Sequence, residues 1–166
     1  MKARRMFMIF FGMVAVLCLA LAPIASAAEL VVVSTPASLA KAADWVKFLG
    51  SKQIPFKNIA PSDLAAFKDA QHLVLLGPLD ESNGIKPLVE KALIKAEFDQ
   101  MMQPGSSAMF VKSNVWGQGQ EVIIYTGMGD KGVETARKAN RAEWIDIIFG
   151  WFGIEVPVGK AGTPSY

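Results

Sequence analysis

The chain has 166 residues but one cysteine, Cys18, and one histidine, His72. A single cysteine makes an internal disulfide or a multi-thiolate metal site impossible. A single histidine means that any Ser-His-Asp triad would have to use His72, and no G-x-S-x-G elbow accompanies it. Neither sign of charge dominates: 17 Lys and Arg face 15 Asp and Glu, for a net charge of +2. No basic stripe of the kind that binds nucleic acid is present. Hydrophobic residues make up 52% and charged residues 19%, which excludes a disordered chain, a disulfide scaffold and a collagen-like repeat.

Long apolar runs are equally scarce, and the one present is at the start. Lys2, Arg4 and Arg5 precede an apolar run from Met6 to Ala22, interrupted by Gly12; Pro23 follows, and then Ala25-Ser26-Ala27. A basic n-region, an apolar h-region and an A-x-A site predict a secretory signal peptide over residues 1–27. At 17 residues the run is also near the lower limit of a membrane span, so a retained anchor is the alternative. Leu17 stands before Cys18 where a lipoprotein site needs a small residue. Cleavage after Ala27 leaves 139 residues, a net charge of −1 and no cysteine. The remainder predicts an exported protein, periplasmic or on the cell surface, with no membrane span after cleavage.

From residue 28 to 156 the pattern is that of a single α/β domain, with a loose tail over 157–166. Leu30 to Val33 and His72 to Leu76 read as buried strands, and Ile54 to Ile59 as a weak strand between them in sequence. Thr35-Pro36 starts a helix that Gly50 closes. A short helix follows Pro61, and Ile85 to Ala96 has helical periodicity. Ala108 to Lys112 and Glu121 to Thr126 are strands joined by too few residues for a parallel crossover, which predicts an antiparallel hairpin at one edge. A last helix is expected from Lys131 to Phe152. The expectation is a three-layer, flavodoxin-like open sheet, mostly parallel with one antiparallel hairpin strand.

Candidate binding residues lie in the loops after the third and fifth strands: Asp80, Asn83, Gly127, Gly129 and Asp130. Gly127 to Gly132 matches G-x-G-x-x-G, whose backbone N–H groups can face an anion at a helix start. It sits in the last βα unit rather than the first, and Asp130 puts a negative charge in it, so a tight turn with Asp130 as N-cap is the favoured reading. Asp80, Glu81 and Asp130 supply enough oxygen for Mg²⁺ or Ca²⁺, but without the spacing of a known metal loop. No cofactor, metal or catalytic residue is assigned. His72 begins its strand, at the end of the sheet opposite the usual ligand crevice.

The last helix is apolar nearly all round from Trp144 to Phe152. Such a helix is either buried on two sides or meets a partner. Trp116, Trp144, Trp151 and Phe152 are therefore the candidate contact residues for a protein partner or a homo-oligomer.

Two stretches carry a family resemblance. His72-Leu73-Val74-Leu75-Leu76-Gly77-Pro78-Leu79 with Asn83, followed by a helix, resembles the strand–"GGP…N"–helix segment of archaeal S-layer-like envelope domains. Asn114-Val115-Trp116-Gly117, Val122 to Tyr125 and Gly127 to Ala136 resemble the closing segment of those domains. Leu76 replaces one glycine of the first motif, and Asp-Glu-Ser displaces Asn83. The resemblance implies a non-catalytic exported cell-envelope protein that acts through protein or wall association. A small-ligand or anion binder, or a metal-dependent hydrolase, using the loops after the third and fifth strands is the alternative.

Overall fold

A computed structural model describes residues 29–155. The expected leader and tail lie outside this range. Five strands, β1 (Leu30–Val33), β2 (Phe56–Ile59), β3 (His72–Leu76), β4 (Ser107–Ser113) and β5 (Glu121–Gly127), form one sheet in the order β2-β1-β3-β5-β4. All neighbours are parallel except β4 and β5, which pair antiparallel from Ser107 opposite Gly127 to Ser113 opposite Glu121. The predicted α/β architecture and the edge hairpin are both present. Because β5 returns beside β3, the hairpin places β4 outermost and exchanges the last two strands relative to a simple doubly wound order.

The helices are shorter than their periodicity implies. The first predicted helix is two: α1 (Pro36–Lys41) and α2 (Ala43–Ser51), separated at Ala42. The segment Pro61–Phe67 is a 3-10 helix. The next long pattern divides into α3 (Lys86–Ala92) and α4 (Lys95–Met101), because Leu93 and Ile94 are extended. The Glu97 carboxylate accepts from the Ile94 backbone N–H at 3.1 Å and restarts the helix. The last pattern divides at Asn140 into α5 (Gly129–Ala139) and α6 (Arg141–Phe152). There the Asn140 side-chain amide donates to the Ala136 carbonyl at 2.7 Å, closing α5. Apolar spacing runs through all three breaks, so periodicity alone could not show them.

Alternation along the strands divides the core into two layers. Leu30, Val32, Val74, Leu76, Ile123 and Tyr125 face α2, α5 and α6. Val31, Val33, Leu73, Leu75, Val122 and Ile124 face the 3-10 segment, α3 and α4. The first layer is aromatic: the Trp144 ring meets Phe48 at 5.3 Å and Trp45 at 6.3 Å, both edge-on. Trp144, expected as a contact residue, is thus a core residue, 3% exposed. Its Nε1–H donates to the Arg137 carbonyl at 3.0 Å, so its polar atom is satisfied inside the protein. Each large apolar side chain buried here stabilises the fold by about 1.5–3 kcal/mol. Gly153 ends α6 in the left-handed region at φ 62°, with the Ile154 N–H returning to the Phe149 carbonyl at 2.9 Å. No helix among the described residues is long and apolar enough to cross a membrane.

Candidate functional site

In an open α/β sheet the ligand crevice lies beyond the carboxyl ends of the strands, where the chain departs to opposite sides of a central strand. Here that point lies between β1, which is followed by β2 on one side, and β3 on the other. Ser34 and Thr35 follow β1. The Thr35 hydroxyl oxygen accepts from the Ser38 N–H at 3.1 Å and caps α1, as the Thr-Pro signal predicts.

Glu81 occupies the crevice. The Thr35 hydroxyl donates to Glu81 Oε1 at 2.6 Å, and the Ser38 hydroxyl donates to Oε2 at 2.9 Å. Both oxygens of one carboxylate are thus held by the cap and first turn of α1. A turn with Asn83 at φ 60° brings Glu81 back to this position, closed by the Gly84 N–H on the Glu81 carbonyl at 3.2 Å. A side chain on Gly84 would press on Glu81, with a Cβ 3.0 Å from its carbonyl oxygen.

The loops after β3 and β5 are joined to each other. The Leu79 N–H donates to the Gly127 carbonyl at 3.0 Å, and the Thr126 hydroxyl to the Gly77 carbonyl at 3.2 Å. Asp80 Oδ1 accepts from the Gly129 N–H at 2.9 Å. Asp80, from a neighbouring loop, therefore caps α5, and Asp130, the expected cap, does not. Asp130 instead pairs with Lys41, tying α5 to α1.

The glycine motif has a packing role. A Cβ on Gly127 would overlap the Ser106 carbonyl oxygen, and one on Gly132 would lie 2.6 Å from it. That carbonyl accepts from the Met128 N–H at 3.1 Å, and the Ser107 hydroxyl donates to the Gly132 carbonyl at 2.7 Å. The first and third glycines make a notch for the start of β4; the middle one, Gly129, turns the chain at φ 69°.

The five predicted binding residues do not converge on one space. Asp80, Gly127, Gly129 and Asp130 gather at the β5 end. Asn83 lies on the far side of Glu81, on the rim of a 560 Å³ depression shared with Thr35, Pro61 and Pro87. Asp80, Glu81 and Asp130 each have a different partner, and no cluster of three metal-ligating acids, histidines or cysteines exists among the described residues.

At the opposite, amino end of the sheet the surroundings are aromatic. His72 stacks on Trp151, with ring centroids 4.6 Å apart and planes 14° apart, and Phe152 lies 6.2 Å away. Trp151 Nε1–H donates to Glu121, which stands beside His72 across the β3–β5 register. Burial pushes the His72 imidazole below its ordinary pKa, and nearby Glu121 partly offsets this. On the other face of β5, Gln120 is buried: its amide donates to the Lys68 and Ala70 carbonyls at 2.9 Å, and its oxygen accepts from the Trp116 N–H at 3.1 Å. Trp116 on one face of the sheet, and Trp151 and Phe152 on the other, are partly buried against the two core layers.

Sequence reasoning missed Ser38, Gln120 and Arg137. Arg137 carries a signal in retrospect: it follows Val133 by four residues, on the inner face of α5. Comparison with protein-family models, with curated proteins and with solved structures finds no match for this chain.

Proposed function

We propose that this is an exported, non-catalytic cell-envelope domain that acts by association, through the aromatic amino end of its sheet. The observation that carries this reading is the Glu81 carboxylate in the switch-point crevice, with Thr35 and Ser38 spent on it. These bonds brace the crevice from within, across the ends of β1 and β3. The glycine loop beside it is similarly spent on packing β4. The partly buried aromatic residues Trp116, Trp151 and Phe152 offer the kind of side chain that anchors protein contacts. The leader-like first 27 residues and the motif resemblance to S-layer-like domains support the same reading.

The experiment is in two parts. Protein recovered from the cell envelope is sequenced from its amino terminus, and the expected first residue is Ala28. Its association state is then measured by light scattering, with and without Trp116→Ala. A mass above that of the monomer, reduced by the substitution, agrees with association between copies. Capture by isolated envelope that the same substitution reduces agrees with association with another partner. A chain found in the cytoplasm with Met1 intact, or a monomer with no affinity for envelope, overturns the proposal.

A further inference from the structure

A second region has chemistry that this reading does not use. Between α2 and the α5–α6 joint lies a cleft of 310 Å³, within the lower range of small-molecule sites. Trp45, Phe48 and Trp144 supply its apolar walls, and Arg137, Lys138 and Arg141 its charge. Asp44 is the one carboxylate on its lining, so the cleft carries a net charge of +2.

Arg137 is the unusual member. Only 5% exposed, it is the one buried cation among the described residues. Its Nη1 donates to Asp44 at 2.8 Å, and this is the hydrogen bond its guanidinium makes among the described residues. A guanidinium has five N–H donors in a planar fork suited to carboxylates. None of the Arg137 nitrogens is both sealed from solvent and without a partner, so water or a ligand can reach the N–H groups that Asp44 does not take. Asp44, 62% exposed, holds the guanidinium from one side, and Arg137 in turn keeps the Asp44 carboxyl below its ordinary pKa. Lys138 is paired with Glu134, whereas Arg141 has no ion-pair partner among the described residues.

We propose that the cleft binds a small aromatic carboxylate, its ring against the wall that Trp45, Phe48 and Trp144 form and its carboxylate on Arg137 and Arg141. The spare guanidinium donors account for the charge of the ligand, and the aromatic walls account for its ring. Asp44 competes for the same donors and so weakens binding. This site does not depend on the association proposal.

The test is calorimetric titration of the purified protein with 1-naphthoate, and with 1-naphthalenemethanol as the uncharged counterpart. The expected result is saturable binding of one naphthoate per chain, with the alcohol at least about tenfold weaker, as a charged hydrogen bond implies. Arg141→Glu, at an exposed position, should weaken naphthoate by about tenfold or more, and Arg141→Lys much less. Asp44→Asn should tighten it. Circular dichroism of each variant checks that the fold is retained. Absence of binding, equal binding of the alcohol, or indifference to Arg141→Glu and Asp44→Asn would overturn the proposal.

Discussion

The two ends of the sheet solve opposite problems with different residues. At the carboxyl end, polar groups are many and satisfy one another: Glu81 with Thr35 and Ser38, Asp80 with Gly129, and Asp130 with Lys41. At the amino end Gln120 and Glu121 are engaged as well, and aromatic rings close the layer over His72, whose Nδ1 is buried without a partner among the described residues. An end whose polar groups are engaged has little left for a ligand. An end with half-exposed rings keeps apolar surface that a partner can cover. The end at which such folds usually bind keeps a 560 Å³ depression beside Asn83, but its central carboxylate is engaged by Thr35 and Ser38.

The largest effect should come from the glycine notch. Gly127→Val forces its side chain into the Ser106 carbonyl and should cost about 3 kcal/mol, measured by urea unfolding. A loss under about 1 kcal/mol would mean that β4 does not need this close approach.

Trp151→Ala comes next, at about 2 kcal/mol, less than for a fully buried tryptophan because the ring is half-exposed. It should also raise the His72 pKa toward its ordinary value, because the ring supplies much of the burial that depresses it. NMR titration of this single histidine reads the shift directly. An unchanged pKa would show that burial comes from elsewhere.

Glu81→Gln keeps the shape but weakens two charge-assisted hydrogen bonds, and should cost about 1 kcal/mol. If the variant were more stable than the parent, desolvation of the carboxylate would outweigh its two hydrogen bonds, and they would not be what stabilises the crevice.

The smallest effect is that of pH. His72 titrates lower in the folded protein than its ordinary 6.5, so the unfolded chain binds more protons between the two values. Its contribution is complete above pH 6.5 and falls as pH drops below 6.5 toward the folded pKa. Asp44 also titrates low, but its contribution is lost only as pH falls below 3.8, through its own folded pKa. Stability should therefore decline modestly from pH 7 to 5, and His72→Gln should remove most of that slope. A slope unchanged in His72→Gln would assign it to other groups.

How much of this was legible in the sequence differs between the two ends. The strands were readable because buried strands are short apolar runs: Leu30 to Val33 and His72 to Leu76 match the structure residue for residue. The Thr35 cap was readable because capping is local. Asp80 capping α5 was not, because the sequence does not say which loops meet, and Asp130 was the nearer carboxylate. Trp144 and Trp151 lie on the same apolar helix, and only the sheet beneath distinguishes a core ring from a half-exposed one. The division at Asn140 was hidden for a related reason: Ala136 and Trp144 continue the apolar face across it.

The contrast between the ends can be tested in one measurement: hydrogen exchange of the purified protein alone and bound to isolated cell envelope. The account predicts new protection at the Trp116 loop and the last turn of α6, and none over Gly77 to Gly84 or Gly127 to Gly132. Protection gained at those glycine-rich loops, with the aromatic end unchanged, would contradict it.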